Sequence, residues 1–255
     1  MTFVEIAQHI DALRSAGNRL SVAAAEAGPD AAVPSCPDWV VRDLVRHQGG
    51  VHRWAAGIVG VPRTEAWNVD LDEVVGTWPT DADLIGWFGE GLDALVKVLS
   101  SADPDLTCWT FLAAPSPLAM WARRQAHETS VHGVDAELAA ARAVTPFPAR
   151  FAADGIAELL ECFITRRGGR LRSDPKRLLR VQCTDAQGDW LVTIGPDGVE
   201  TTQARDSTRA DCLVAGSAND LYLALWSRRS PADLSVDGDG QVLDLFLDRV
   251  NVRWS

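Results

Sequence analysis

The chain has 255 residues, of which 24 are lysine or arginine and 35 are aspartate or glutamate, so its formal net charge is −11. This acidic balance argues against nucleic acid or an anionic membrane as the main partner. Because 47% of the residues are apolar and 23% are charged, the composition also excludes wholesale disorder. At about 150 residues per domain, the length favours two domains.

Helical periodicity dominates the first half of the chain. Apolar residues that recur every three or four positions mark a first amphipathic helix: Phe3, Ile6, Ile10, Leu13 and Leu20. Three further helices are predicted at residues 38–58, 81–99 and 116–141. The segment Thr-Pro-Phe-Pro at 145–148 ends the last of them, because proline breaks a helix. Residues 1–145 are therefore predicted to form a four-helix bundle.

Shorter elements follow this break. A helix predicted at 152–166 precedes three β-like runs, at 178–183, 190–194 and 212–215. Ser217 and Asp220 fit a capping box that opens a helix at 221–228, and a last helix is predicted at 241–249. Residues 150–255 are therefore predicted to form a small α+β domain, which gives the whole chain an α+β fold class.

The sequence favours a cytoplasmic location. The longest apolar run, residues 221–226, is far shorter than the roughly 20 residues needed to span a bilayer. The N-terminus turns polar at once, without the pattern of a secretory signal. Five widely spaced cysteines argue against both a disulfide framework and a thiolate metal site.

The predicted helix at 116–141 carries an unusual inner face. When the helix is projected at about 100° per residue, its apolar residues centre close to Glu128, and Arg123, Ser130, Gly133 and Glu137 fall on the opposite face, which suits solvent. The inner face also carries polar residues, namely Arg124, Gln125, His132 and Asp135. Burying ionised groups costs several kcal/mol each unless they are paired or bind a metal, so this stripe requires a partner.

Three side chains of the types that bind divalent metals fall on inner helix faces. Glu128 and His132 are spaced i, i+4, so they stack on one side of their helix, and His47 projects into the core from the helix at 38–58. His52 and His127 project well away from these stripes. The three side chains form a His2Glu set that leaves one coordination position open for chemistry. A buried network in which Arg124 pairs with Glu128 explains the same pattern without a metal.

Tryptophan is abundant, with ten residues in the chain. Trp54 and Trp121 project onto the inner faces that carry His47 and Glu128. We therefore expect them either to form walls of a partly dry metal pocket or to serve only the packing of the bundle.

Two motifs of the first half and one of the second carry a family resemblance. Residues 37–47, PDWVVRDLVRH, and 121–137, WARRQAHETSVHGVDAE, together resemble the mycothiol-dependent maleylpyruvate isomerase family, whose N-terminal domain is a DinB-like four-helix bundle. Residues 182–198, QCTDAQGDWLVTIGPDG, followed by LWSR at 225–228, resemble that family's C-terminal domain, which is similar to sterol carrier proteins.

The resemblance implies a site and a chemistry. It implies His47, Glu128 and His132 as ligands of a divalent metal, zinc, with mycothiol as cosubstrate. It also implies Arg228 as a substrate-binding cation, although a helix-terminal arginine that complements the dipole explains the same residue. The basic residues between 166 and 180 either form a solvated linker or face an anionic ligand; they are Arg166, Arg167, Arg170, Arg172, Lys176, Arg177 and Arg180.

The function expected from these features is that of a metal-dependent enzyme with a low-molecular-weight thiol as nucleophile. It would isomerise a maleylpyruvate-like cis enedioate or transfer the thiol to an electrophile. Its expected partners are the small-molecule thiol and the electrophile, with neither nucleic acid nor membrane. The alternative is a non-catalytic carrier of an apolar ligand, in which the metal or the polar core is structural. No catalytic residue is assigned by the sequence.

Overall fold

Two compact units make up the chain, one of residues 5–145 and one that begins at Pro146 and includes Val4. The computed structural model describes residues 4–166, 168–205 and 208–250, so Phe3 and Arg167 of the sequence predictions lie outside the described residues. None of the described helices is both long and apolar enough to span a membrane.

The first unit is helical, as predicted. Its four long helices are accompanied by one short helix that the sequence did not predict, since five residues are too few to show a helical period. In chain order the helices are α1 (Ile6–Ala27), α2 (Val41–Val59), α3 (Leu71–Val75), α4 (Leu84–Ser101) and α5 (Pro117–Ala139).

Helix α2 begins three residues later than predicted. Trp39 and Val40 belong instead to an extended connection, in which Val40 forms a β-bridge with Ala32 and Val33 N donates to the Trp39 carbonyl at 3.0 Å. The Asp43 carboxylate accepts from Val40 N at 3.0 Å. Because this hydrogen bond satisfies a backbone donor at the helix start, it fixes where α2 begins.

The solvent face predicted for α5 is wrong at three of its four residues; only Arg123 is half-buried. Ser130, Gly133 and Glu137 are all buried, because α1 lies along this helix. A side chain at Gly133 would meet the Ala16 carbonyl oxygen at 3.5 Å, so a small residue allows the close approach. The Glu137 carboxylate accepts from Thr145 N at 2.9 Å and from Thr145 Oγ1 at 2.6 Å, and these hydrogen bonds offset its burial.

The second unit combines a five-stranded sheet with helices. Its helices are α6 (Ala149–Ala157), which continues into a π-helical turn (Glu158–Phe163), α7 (Ala218–Leu225) and α8 (Gly240–Arg249), with a 3-10 turn at Pro231–Asp233. Its strands are β1 (Arg177–Cys183), β2 (Asp189–Ile194), β3 (Val199–Gln203), β4 (Cys212–Gly216) and β5 (Ser235–Gly238). The strand order is β3-β2-β1-β4-β5, with β1 and β4 parallel and the other pairs antiparallel.

The three strands predicted from the sequence are the central ones. In β1 and β2, alternate residues are buried, which gives the apolar alternation that a half-buried strand needs. The sequence did not predict the edge strands β3 and β5. Strand β3, with the sequence Val-Glu-Thr-Thr-Gln, lacks apolar alternation, and β5 has no buried face, since all four of its residues are exposed. Their positions depend on pairing with β2 and β4.

Helix α7 starts directly after the predicted capping residue. The Ser217 hydroxyl accepts from Asp220 N at 3.1 Å, as the capping box predicts, but the helix covers Ala218–Leu225 rather than 221–228. It ends early because Ser227 has a positive φ of 62°, which is incompatible with continuing a right-handed helix.

Candidate metal centre

Three side chains from two helices converge in the first unit. His47 lies on α2, and Glu128 and His132 lie on α5. Oε1 of Glu128 is 3.7 Å from Nε2 of His47 and 3.4 Å from Nε2 of His132. One donor atom from each of the three residues lies within 4.8 Å of the other two. The structure therefore brings together the set that the sequence predicted as metal ligands.

The geometry of α5 explains why Glu128 and His132 lie side by side. Glu128 and His132 are one turn apart and stack on one side of the helix, and both side chains are at most 5% exposed. The His47 side chain is 14% exposed, so the site is closed on most sides but reaches solvent on the α2 side.

Arg124 forms an ion pair with the second oxygen of the Glu128 carboxylate. Its Nη2 lies 2.8 Å from Oε2 of Glu128, one turn away, and the pair is buried. The ion pair expected in the metal-free interpretation is present, since Oε2 of Glu128 pairs with Arg124, while Oε1 faces the two imidazoles.

The residues fit a divalent ion. Among the described residues, no hydrogen-bond partner is found for the buried Nε2 of His47, and a buried nitrogen of this kind is costly unless it binds something. Two imidazole nitrogens and a carboxylate oxygen are ligands that zinc prefers, and three protein ligands leave a fourth position open. The donor set thus suits a divalent metal on the chemistry of its atoms.

Burial and charge set the ionisation of the three groups. Burial lowers the pKa of His47, which favours the neutral imidazole with a free lone pair. Burial of Glu128 opposes ionisation, but the charge of Arg124 and the two histidines outweigh it and hold its pKa well below the usual range. Burial of His132 is likewise outweighed, by its contacts with Asp135 and Glu128, so that its pKa is raised.

A second carboxylate supports His132. Nδ1 of His132 lies 2.8 Å from Oδ2 of Asp135, which is fully buried. Ser35 donates its hydroxyl hydrogen to Oδ1 of Asp135, and Cys36 Sγ lies 3.9 Å from Oδ2. The helix projection found Asp135, but Ser35 was missed, because it lies a hundred residues away in the α1–α2 connection.

The Trp39 ring packs against both imidazoles of the candidate site. Its ring centroid lies 4.9 Å from that of His47 and 6.0 Å from that of His132, with which it is stacked. Trp54 and Trp121, which were expected either to form walls of the pocket or to serve only the packing of the bundle, contact each other at 5.2 Å in a cluster with Trp109 and Phe111, which favours the packing role. They are seven residues, or roughly two helical turns, from His47 and Glu128 along their helices.

The other histidines of α2 and α5, His52 and His127, take no part in this set. His52 is fully buried, and its Nε2 lies 2.9 Å from both the Gln48 amide nitrogen and the Thr129 hydroxyl. The His127 ring packs edge-on against that of His9, with centroids 5.9 Å apart. The helix projection separated these residues from the candidate ligands because their faces differ.

Arg228 and the basic residues 166–180 belong to the second unit. Arg228 follows the end of α7, where its Nη1 donates to the Trp226 carbonyl at 2.8 Å. Two of the basic residues are paired, Arg180 with Asp189 at 2.6 Å and Arg177 with Asp239 at 3.6 Å, and Arg166 and Arg170 are exposed.

Comparison with known proteins finds matches to both units of the chain. Family models described as the mycothiol maleylpyruvate isomerase N-terminal domain and the MDMPI C-terminal domain match residues 10–137 and 150–245. The fold is similar to crystal structures of a mycothiol-dependent maleylpyruvate isomerase (13% identity, TM-score 0.61) and of its histidine-to-alanine mutant (12%, 0.63). Each alignment covers 93% of this chain and 95% of the other. No curated protein matched the sequence. The predicted α+β fold class is confirmed.

Proposed function

Because the chain belongs to the mycothiol maleylpyruvate isomerase family, we propose that it is a metal-dependent enzyme with mycothiol as its nucleophilic cosubstrate. The reaction is cis–trans isomerisation of a maleylpyruvate-like enedioate or transfer of the thiol to another electrophile. The observation that carries the proposal is the convergence of His47, Glu128 and His132, whose donor atoms lie within 4.8 Å of one another.

We assign these three residues as the ligands of zinc. A divalent ion with an open position lowers the pKa of a bound thiol, so that thiolate is available near neutral pH. The protein's own groups prepare the site: Arg124 keeps Glu128 ionised, and the Trp39 ring covers the two imidazoles. Partial exclusion of water strengthens the electrostatic interactions there.

The isomerisation requires no net change in atoms or electrons. The thiolate sulfur adds to one carbon of the conjugated double bond, which leaves the electron pair on the neighbouring enolate. The former double bond rotates as a single bond. Reformation of the trans alkene then expels the thiolate, which is regenerated. In the transfer reaction the same addition, completed by protonation of the carbon, leaves the thiol attached.

The metal content of purified variants tests the ligand assignment. We expect about one zinc ion per chain in the wild type after reloading, and a strong loss in His47→Ala, Glu128→Gln and His132→Ala. His52→Gln is the matched control, since His52 is a buried histidine on α2 outside the set. Full zinc content in the three ligand variants would overturn the assignment.

A thermal-shift screen tests the thiol. A ligand that binds the native state raises the apparent stability, so mycothiol should raise the melting temperature of the zinc-loaded protein more than glutathione does. Cis enedioates, added with and without mycothiol, test the isomerase substrate class. Stabilisation by apolar ligands alone, independent of zinc and thiol, would favour the non-catalytic carrier.

We further propose that Arg228 binds an anionic group of a substrate, as the family resemblance implies. Arg228→Met should raise KM for an acidic substrate about tenfold or more, because a hydrogen bond to a charged group is lost. Arg229→Met serves as the control because Arg229 pairs with Asp220 and Asp233 on the surface. An equal KM in the two variants would contradict this role.

A further inference from the structure

We infer that Asp135 is a positioning residue that fixes the imidazole of His132, and that Ser35 holds Asp135 in turn. The inference deepens the proposed function, since it rests on His132 being a metal ligand. Its basis is a chain of contacts that runs from the α1–α2 connection through a buried carboxylate to one of the proposed ligands.

The first contact determines which nitrogen of His132 is available. An ionised carboxylate only accepts hydrogen bonds, so the 2.8 Å contact between Nδ1 of His132 and Oδ2 of Asp135 places a hydrogen on Nδ1. With the Nδ1 hydrogen held by Asp135, Nε2, the atom that is 3.4 Å from Oε1 of Glu128, is the ring nitrogen left to bind a metal. Ligating histidines commonly donate their second ring N–H to a carboxylate, which fixes the tautomer and orients the ring.

The second contact keeps the carboxylate in place. Asp135 is fully buried, so both oxygens of its carboxyl group require hydrogen-bond partners. Oδ2 accepts from His132, and Oδ1 accepts from the Ser35 hydroxyl. With Oδ1 engaged by a second element, rotation of the carboxylate away from His132 breaks two hydrogen bonds at once.

The segment that carries Ser35 is itself held by backbone hydrogen bonds. Cys36 N donates to the Val33 carbonyl at 3.0 Å, Trp39 N donates to the Cys36 carbonyl at 2.8 Å, and Val41 N donates to the Ala31 carbonyl at 2.9 Å. The same segment places the Trp39 ring on His132 at 6.0 Å. The α1–α2 connection therefore restrains the His132 ring twice, through its Nδ1 atom and through its face.

Zinc affinity, measured by competition with a chromophoric chelator, tests the inference. We expect Asp135→Ala to bind zinc about 10–100-fold more weakly than the wild type, and Ser35→Ala to lose several-fold. Ser35→Thr keeps the hydroxyl and should restore affinity relative to Ser35→Ala. Glu137→Gln is the matched control, because Glu137 is a buried carboxylate on the same helix that binds Thr145 instead; it should lower stability without changing affinity.

The tautomer of His132 in the metal-free protein gives a second measurement, independent of metal binding and of activity. Long-range ¹H–¹⁵N NMR spectra, recorded at a pH at which the ring is neutral, should show the hydrogen on Nδ1 in the wild type and a shift toward the Nε2–H tautomer in Asp135→Ala. Unchanged zinc affinity and tautomer in a folded Asp135→Ala protein would overturn the inference and leave the proposed function intact. A wild-type protein that binds no zinc would overturn the metal assignment, while the tautomer would still report whether Asp135 orients His132.

Discussion

Arg124 and Glu128 form a buried ion pair across one turn of α5, with Nη2 and Oε2 2.8 Å apart. The pair leaves Oε1 of Glu128 to face His47 and His132. A single carboxylate thus has both a permanent cationic partner at one oxygen and two imidazoles at the other. Because the partner is covalently part of the protein, Glu128 stays ionised before any metal binds.

We predict that Arg124→Met strongly destabilises the metal-free protein. Removing one partner of a buried ion pair leaves an uncompensated charge, which costs about 3–5 kcal/mol. The double variant Arg124→Met/Glu128→Gln should be less destabilised than Arg124→Met alone, because no charge is then left unpaired. Urea unfolding in the presence of a chelator measures both. Arg14→Met, which breaks an exposed pair with Asp11, is the control and should cost less than about 1 kcal/mol. Equal effects for Arg124 and Arg14 would contradict the prediction.

We predict that His52 makes stability fall in mild acid. Burial, with a smaller contribution from the charge of Arg53, lowers its pKa from 6.5 to about 3. His52 therefore takes up a proton at a higher pH in the unfolded chain than in the folded chain. Its contribution to the free energy of unfolding is complete above pH 6.5 and is lost as the pH falls toward 3. Between pH 8 and pH 5 the loss amounts to about 2 kcal/mol.

Urea unfolding at pH 8 and pH 5 measures this loss in the wild type and in His52→Gln. The variant keeps polar atoms for the contacts with Gln48 and Thr129 but does not titrate. Since all other titrating groups are common to both proteins, the wild type should lose about 2 kcal/mol more. A parallel pH dependence in the two proteins would show that His52 does not carry the effect.

We predict opposite effects for alanine at two helical glycines. At Gly49, on α2, a Cβ would overlap the Trp87 ring, and that ring is held by Arg53 stacked 3.8 Å from its centroid. Overpacking of this kind costs about 1–3 kcal/mol. At Gly89, on α4, a Cβ meets no atom within 4 Å, so Gly89→Ala should stabilise by about 0.5–1 kcal/mol through the lower entropy of the unfolded chain. Thermal unfolding compares the two, and a stabilised Gly49→Ala would refute the packing argument.

We predict that Glu161 anchors the π-helical turn to the sheet of the second unit. Its Oε1 accepts from Trp190 Nε1 at 2.8 Å and from Gln203 Nε2 at 2.9 Å, and Trp190 is fully buried. Glu161→Ala leaves the indole N–H without this acceptor, which costs about 1–3 kcal/mol. Denaturant unfolding should show this loss, whereas Glu200→Ala, at an exposed position on β3, should change stability by less than about 0.5 kcal/mol.

The sequence by itself determined most of the helical unit and the three candidate ligands. Amphipathic periodicity is a local property, so α1, α4 and α5 could be placed from the spacing of apolar residues. The i, i+4 spacing of Glu128 and His132 fixes their shared face whatever the rest of the chain does. The inward direction of His47 follows from the apolar residues around it on α2.

Only the tertiary structure decided what surrounds those ligands. Ser35 and Trp39 lie in a non-helical connection without a repeating pattern, and the connection reaches the site because long-range contacts and hydrogen bonds fold it back. The face of α5 that carries Ser130 and Glu137 is polar in sequence but buried, because α1 packs along it and Thr145 pairs with the carboxylate. The edge strands β3 and β5 depend on their neighbours for hydrogen bonds. Local patterns determine which way a side chain points along its own helix, but the partners that it meets come from distant parts of the chain.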